Sequence, residues 1–133
     1  MRLILGIVVA GVLGTSVAAA KPPLRDVAVV DDGILALVLA NEIQETCPDI
    51  KPRLLKAYNF LMSLNSHAES LGYTYEEIRE YRKSDTEKER MRARGEAYAR
   101  ANGADPAKPE TLCPLGLAEI EKGSPIGVLL RSK

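Results

Sequence analysis

The chain has 133 residues, of which 46% are hydrophobic and 27% charged, the composition of a globular protein and not of a disordered or fibrous one. Its 18 basic and 18 acidic side chains cancel, which excludes a global field drawing the molecule to nucleic acid or an anionic membrane. With no Trp and a single Phe, the core must come mainly from Leu, Ile, Val and Ala.

The first twenty residues form a separate unit. Met1-Arg2 is a short positive start, Leu3 to Gly14 is apolar and uncharged, and Ala18-Ala19-Ala20 offers a small-residue cleavage site. This pattern predicts a Sec signal peptide over residues 1–20, cut after Ala20, leaving one domain, residues 21–133, in the periplasm. The apolar run is shorter than the roughly 17–25 residues a bilayer-spanning helix needs, so no transmembrane span is expected after cleavage. No cysteine follows the run closely enough for a lipid anchor.

Lys21-Pro22-Pro23 is an extended leader, because proline fixes φ and withholds a helix hydrogen bond. Asp31-Asp32 predicts a cap for a helix running to about Thr46, with Ile34, Leu35, Val38, Leu39 and Ile43 on a broad apolar face. Cys47-Pro48 follows its end. From Pro52 to Gly72, Leu54, Tyr58, Leu61, Leu64, Ala68 and Leu71 recur at three- and four-residue steps. This stripe predicts the helix around which the rest packs, with Gly72 just past its C-terminus.

Thr74 with Glu77 forms a capping box, and Tyr73 with Ile78 a hydrophobic staple, opening a short helix over about 75–83. Ser84 with Glu87 predicts a second box and a longer helix to about Ala101, stopped by Asn102-Gly103. Gly95 sits inside it at a cost of about 1 kcal/mol against alanine, which the close approach of another helix would offset. A last helix is expected from about Thr111 to Lys122, its start blurred by Pro109 and Pro114. The tail IGVLLRSK is either an extended segment laid on the bundle or a final helical turn.

Cys47 and Cys113 are the two cysteines, and in an oxidising compartment they predict a structural disulfide. Their separation, with no C-x-x-C spacing, speaks against a thioredoxin-like site, and one histidine speaks against zinc. That histidine, His67, has Ser63 one turn before it and Ser70 three residues after, a spacing that admits a hydrolase but lacks a visible orienting acid or oxyanion site. The pairs Asp31-Asp32 and Glu76-Glu77 fall at expected helix starts, where capping explains them. The densest charge lies between Arg79 and Arg100, basic residues interleaved with acids. It reads plainly as a solvated helix face, and more sharply as a docking surface for an envelope protein or an anionic ligand, with Arg90, Arg92 and Arg94 at its centre.

Several stretches together carry a resemblance: KPPLRDVA, DDGILA, CPDI, LGYTYEEI, SDTEKERMRARGEAY and GSPIGVLLRSK. They resemble a family of small exported alphaproteobacterial proteins known as a domain of unknown function. The resemblance implies a mostly helical exported domain with two cysteines, and it carries no assigned activity or site residues across.

The expectation is therefore an all-α protein: a compact bundle of about five helices with one disulfide, after a cleaved signal peptide. No catalytic constellation, cofactor motif or metal ligand set is visible, which favours a non-catalytic periplasmic binding or adaptor protein. Two alternatives remain open. One is an acid-stress chaperone, since protonating the carboxylates would leave the basic side chains unopposed. The other is a hydrolase using His67.

Overall fold

A computed structural model describes residues 20–133, so the expected signal peptide lies outside the described residues apart from Ala20. Five α-helices follow one another there: α1 Ala28–Thr46, α2 Leu54–Ser70, α3 Tyr75–Lys83, α4 Asp85–Ala101 and α5 Leu112–Lys122. Two three-residue strands, β1 Ile50–Pro52 and β2 Leu130–Ser132, form an antiparallel ladder with Lys51 opposite Arg131. The helical bundle is as expected, and the small sheet is an addition to it.

The helix at the centre is α1, not α2. Gly33 of α1 meets Leu64 of α2, Leu39 meets the backbone of Gly95 in α4, and Ile43 meets Gly116 in α5. A helix that touches neighbours on several sides must be apolar on several sides, as the run ILALVLA is. By contrast Leu54, Leu55 and Tyr58 of α2 are 74%, 73% and 60% exposed, and only Leu64 and Ala68 of that helix are buried. The stripe on α2 marks its apolar face correctly, but periodicity cannot say how much of that face is covered.

Helix α1 also starts earlier than Asp31-Asp32 suggested. Val27 is the N-cap, so Asp31 lies within the helix, buried, and caps nothing. The start of α3 matches the expected box: the Thr74 hydroxyl accepts from the Glu77 N–H at 3.2 Å, and Glu77 accepts from the Thr74 N–H at 2.6 Å. Tyr73 and Ile78 are buried in one cluster with Leu24, Val30 and Ala68. At α4 only half the box forms. Ser84 accepts from the Glu87 N–H at 3.3 Å, while the Glu87 carboxylate turns to Arg25 and Arg90 instead.

The two prolines near α5 are divided between two elements. Pro109 opens a 3-10 turn, Pro109–Thr111, and Pro114 sits in the first turn of α5, where a missing N–H costs no helical bond. Cys47 closes α1 and Cys113 lies in the first turn of α5; they are disulfide-bonded with 5.5 Å between their Cα atoms. The tail is both a turn and a strand: a 3-10 turn Gly127–Leu129 leads into β2. A Cβ on Gly127 would lie 1.8 Å from the Glu119 carbonyl oxygen, so the turn presses its backbone directly onto α5. Arg53 holds the tail from the other side, its N–H donating to Leu129 O at 2.7 Å and its Nε to Leu130 O at 3.0 Å.

Candidate functional site

Between α1 and α4 lies a charged clamp. Asp31 of α1 accepts from Tyr81 of α3 and from both Arg90 and Arg94 of α4; Arg90 reaches both of its carboxylate oxygens, with Nη1 at 3.0 Å from Oδ2. The network extends outward. Arg90 Nε donates to Glu87 at 2.8 Å, Glu87 also pairs with Arg25, and Arg94 donates to Asp32 at 2.7 Å. Burial pushes the Asp31 carboxyl upward, but hydrogen bonds from Arg90 and Tyr81 and the charges of Arg90 and Arg94 outweigh it, leaving it below the usual aspartate range. Burial and then the bond to Asp31 raise the Tyr81 phenol, and Asp31 and Glu87 raise Arg90, so near neutrality Tyr81 keeps its proton while Asp31 and Arg90 stay ionised.

Beside the clamp opens a groove of about 680 Å³, within the size range of small-ligand sites. Helix α1 contributes Ile34, Leu37 and Val38, α4 contributes Met91 and Gly95, and α2 contributes Leu61. Tyr81 and Arg82 of α3 and Lys88 of α4 line it toward the start of α4; Pro106 and Pro109 line it toward the end. Gly95 has a particular place here. A Cβ on it would stand 3.5 Å from Leu39, an ordinary contact, so the close approach of another helix is not what requires a glycine here. What the missing side chain leaves is depth in the groove.

The charges along the groove are unequal in their commitments. Glu87 is neutralised by Arg25 and Arg90. Arg92 donates to Glu89 at 2.6 Å, and that bond together with the charges of Glu89, Glu96 and Glu42 raises its pKa. Lys88 comes no nearer than 3.8 Å to exposed Asp85, and Arg82 makes no hydrogen bond or ion pair with the described residues. The end of α3 and the start of α4 thus present two cations, Arg82 and Lys88, that no carboxylate among the described residues holds closely.

The three arginines singled out from sequence do not act as a set. Arg90 and Arg94 turn inward to Asp31, whereas Arg92 is exposed on the groove's rim. His67 is not joined to a serine hydroxyl: Ser63 donates to Phe60 O at 2.7 Å and Ser70 to His67 O at 2.6 Å. Sequence reasoning missed Glu119, which is fully buried in α5. Its Oε1 accepts from Tyr98 at 2.8 Å, while Oε2 has no partner among the described residues. Burial raises its carboxyl, but the Ser124 and Tyr98 hydroxyls and the Lys122 ammonium more than compensate. Tyr98 is pushed up to about 12 by burial and by that carboxylate. An acid between the apolar positions Leu115 and Ile120 and three residues before Lys122 was the one signal available for it.

Among the described residues no three His, Cys, Asp or Glu side chains gather as a metal site would need, and no helix is long and apolar enough to cross a membrane. No curated protein and no solved structure matches the chain significantly. A family model does match, over residues 22–131, nearly the whole of the described region; the chain belongs to the family of unknown function DUF5333.

Proposed function

We propose that this chain is a non-catalytic binding module of the periplasm and that it takes its ligand or partner in the groove between α1 and α4. The observation that carries the reading is the groove itself: apolar side chains from three helices, a glycine whose absent side chain deepens it, and a charged rim. The clamp on Asp31 serves it by holding α4 at a set distance from α1. Of the three arginines, Arg92 is the one exposed at the groove's rim, held by Glu89, and Arg90 and Arg94 position the wall behind it. The Cys47–Cys113 bond suits an oxidising compartment and so supports the periplasmic assignment.

The test is native mass spectrometry of the protein after incubation with envelope extract. Val38 is 37% exposed and lines the groove, so Val38→Trp fills it without touching the core. An adduct on the wild-type chain that Val38→Trp loses supports the reading; the same adduct on both chains overturns it.

One observation favours a second reading, an acid-stress chaperone. Two buried carboxylates, Asp31 and Glu119, each tie helices together, and protonating them would loosen α4, while the exposed Leu54, Leu55 and Tyr58 of α2 offer apolar surface to a client. Suppression of client aggregation at pH 2–3 would support it; an inert, folded chain at that pH would remove it.

A further inference from the structure

Resting on the groove as a binding site, we infer the class of its ligand: a free single-chain amphiphile with an anionic head, the head at Arg82 and Lys88 and the chain along Ile34, Val38, Met91 and Gly95. The argument starts from the distribution of charge. Lys88 is held only loosely, by Asp85 at 3.8 Å, Arg82 has no partner among the described residues, and Glu87, the acid that lines this end of the groove, is consumed by Arg25 and Arg90. That end of the groove therefore offers two donors to an incoming carboxylate or similar anion and opposes it with little negative charge. Farther along the groove the charges reverse or cancel: Arg92 is engaged by Glu89, Glu96 pairs with Arg100 at 3.3 Å, and Glu42 stands beside them. An anionic head is thus directed to one end, not merely admitted to the groove.

Length sets the second constraint. From Ile34 to Glu42 along α1, or from Lys88 to Ala99 along α4, the lining spans about 12–16 Å at a rise of ~1.5 Å per residue. An extended alkyl chain advances about 1.3 Å per carbon, given C–C bonds of ~1.5 Å, so the lining accommodates roughly nine to twelve carbons. The groove is open and lies between helices of the bundle, a common position for an apolar ligand site with a few polar groups at its mouth.

Isothermal titration with dodecanoate tests this directly, kept below its micelle concentration. The wild-type chain should bind it, dodecyltrimethylammonium should bind at least tenfold more weakly, and the exposed double variant Arg82→Glu/Lys88→Glu should lose about tenfold or more while its circular dichroism stays unchanged. Equal binding of the anionic and cationic amphiphiles, or full binding by the double variant, overturns the inference on the head group while leaving the groove as a site. Binding to vesicles of anionic phospholipid with no uptake of monomeric dodecanoate also overturns it. If dodecanoate fails to bind but envelope extract still gives an adduct that Val38→Trp abolishes, the inference fails alone. If both fail, the groove reading falls with it.

Discussion

Arg90 of α4 grips Asp31 of α1 by both carboxylate oxygens, and it does so in the first turns of α1, with the Asp31 side chain 5% exposed. The pair joins the longest described helix to the groove wall. Because Arg94 and Tyr81 also converge on Asp31, removing this one carboxylate takes an acceptor from three side chains and leaves Tyr81 with none among the described residues, while Arg90 and Arg94 keep Glu87 and Asp32. Asp31→Ala should cost about 2–4 kcal/mol in urea unfolding, the lower figure reflecting the solvent that still reaches the arginines. A loss under 0.5 kcal/mol would show that the clamp contributes little.

The same carboxylate sets an acid limit. Its pKa is lowered in the folded state, so it contributes stability above the ordinary aspartate value of about 3.9, and that contribution is lost as pH falls from there through the lowered folded value. Asp31→Asn should therefore be less stable than the wild-type chain at pH 7, with the two converging below about pH 4. Thermal melts at pH 7, 5, 4 and 3 check this; a constant difference across that range would contradict it.

The disulfide closes a loop of 66 residues between α1 and α5. In the chain-entropy account this stabilises the fold by about 4 kcal/mol, and a Cys47→Ala/Cys113→Ala chain should lose a comparable amount. Chemical unfolding of that double variant against the oxidised wild type is the measurement.

Gly95 should show a trade between stability and binding. Gly95→Ala places a methyl group in ordinary contact with Leu39 and removes a mid-helix glycine, a gain of up to about 1 kcal/mol. The same methyl reduces the groove's depth, so dodecanoate uptake should weaken. A destabilised Gly95→Ala chain would mean that the helices stand closer than the structure shows.

The Thr74 cap is a local control: it lies at the opposite end of α3 from Tyr81 and Arg82 and does not itself line the groove. Thr74→Ala removes the acceptor for the Glu77 N–H and should cost about 1 kcal/mol with dodecanoate binding unchanged.

Much of this architecture was legible in the chain because local chemistry specified it. The Thr74–Glu77 box, Gly103 and Gly123 at helix ends, and the Cys47–Cys113 bond all follow from nearby residues or from a count of two thiols. What was not legible depended on long-range placement. The amphipathic period of α2 looked central because its stripe is clean, yet α1, apolar on several sides, is the helix that packs against α2, α4 and α5. Asp31 looked like a cap because acids favour helix starts, and only the arrival of Arg90 and Arg94 from some sixty residues later makes it a buried anchor. The strand pairing of Ile50–Pro52 with Leu130–Ser132 was hidden for a similar reason, since three-residue strands carry no period to detect. In the arginine run, interleaved acids obscured which members were free. Arg82, outside the central three, emerged only once the partners of the others were placed.

The most direct test of the groove as the working surface is methyl-resolved NMR during titration with dodecanoate. Shifts should concentrate at Ile34, Leu37, Val38, Leu61 and Met91, leaving Ile126 and Leu129 of the tail unmoved. Shifts confined to Leu54 and Leu55 on the exposed end of α2, or none anywhere at saturating ligand, would contradict it.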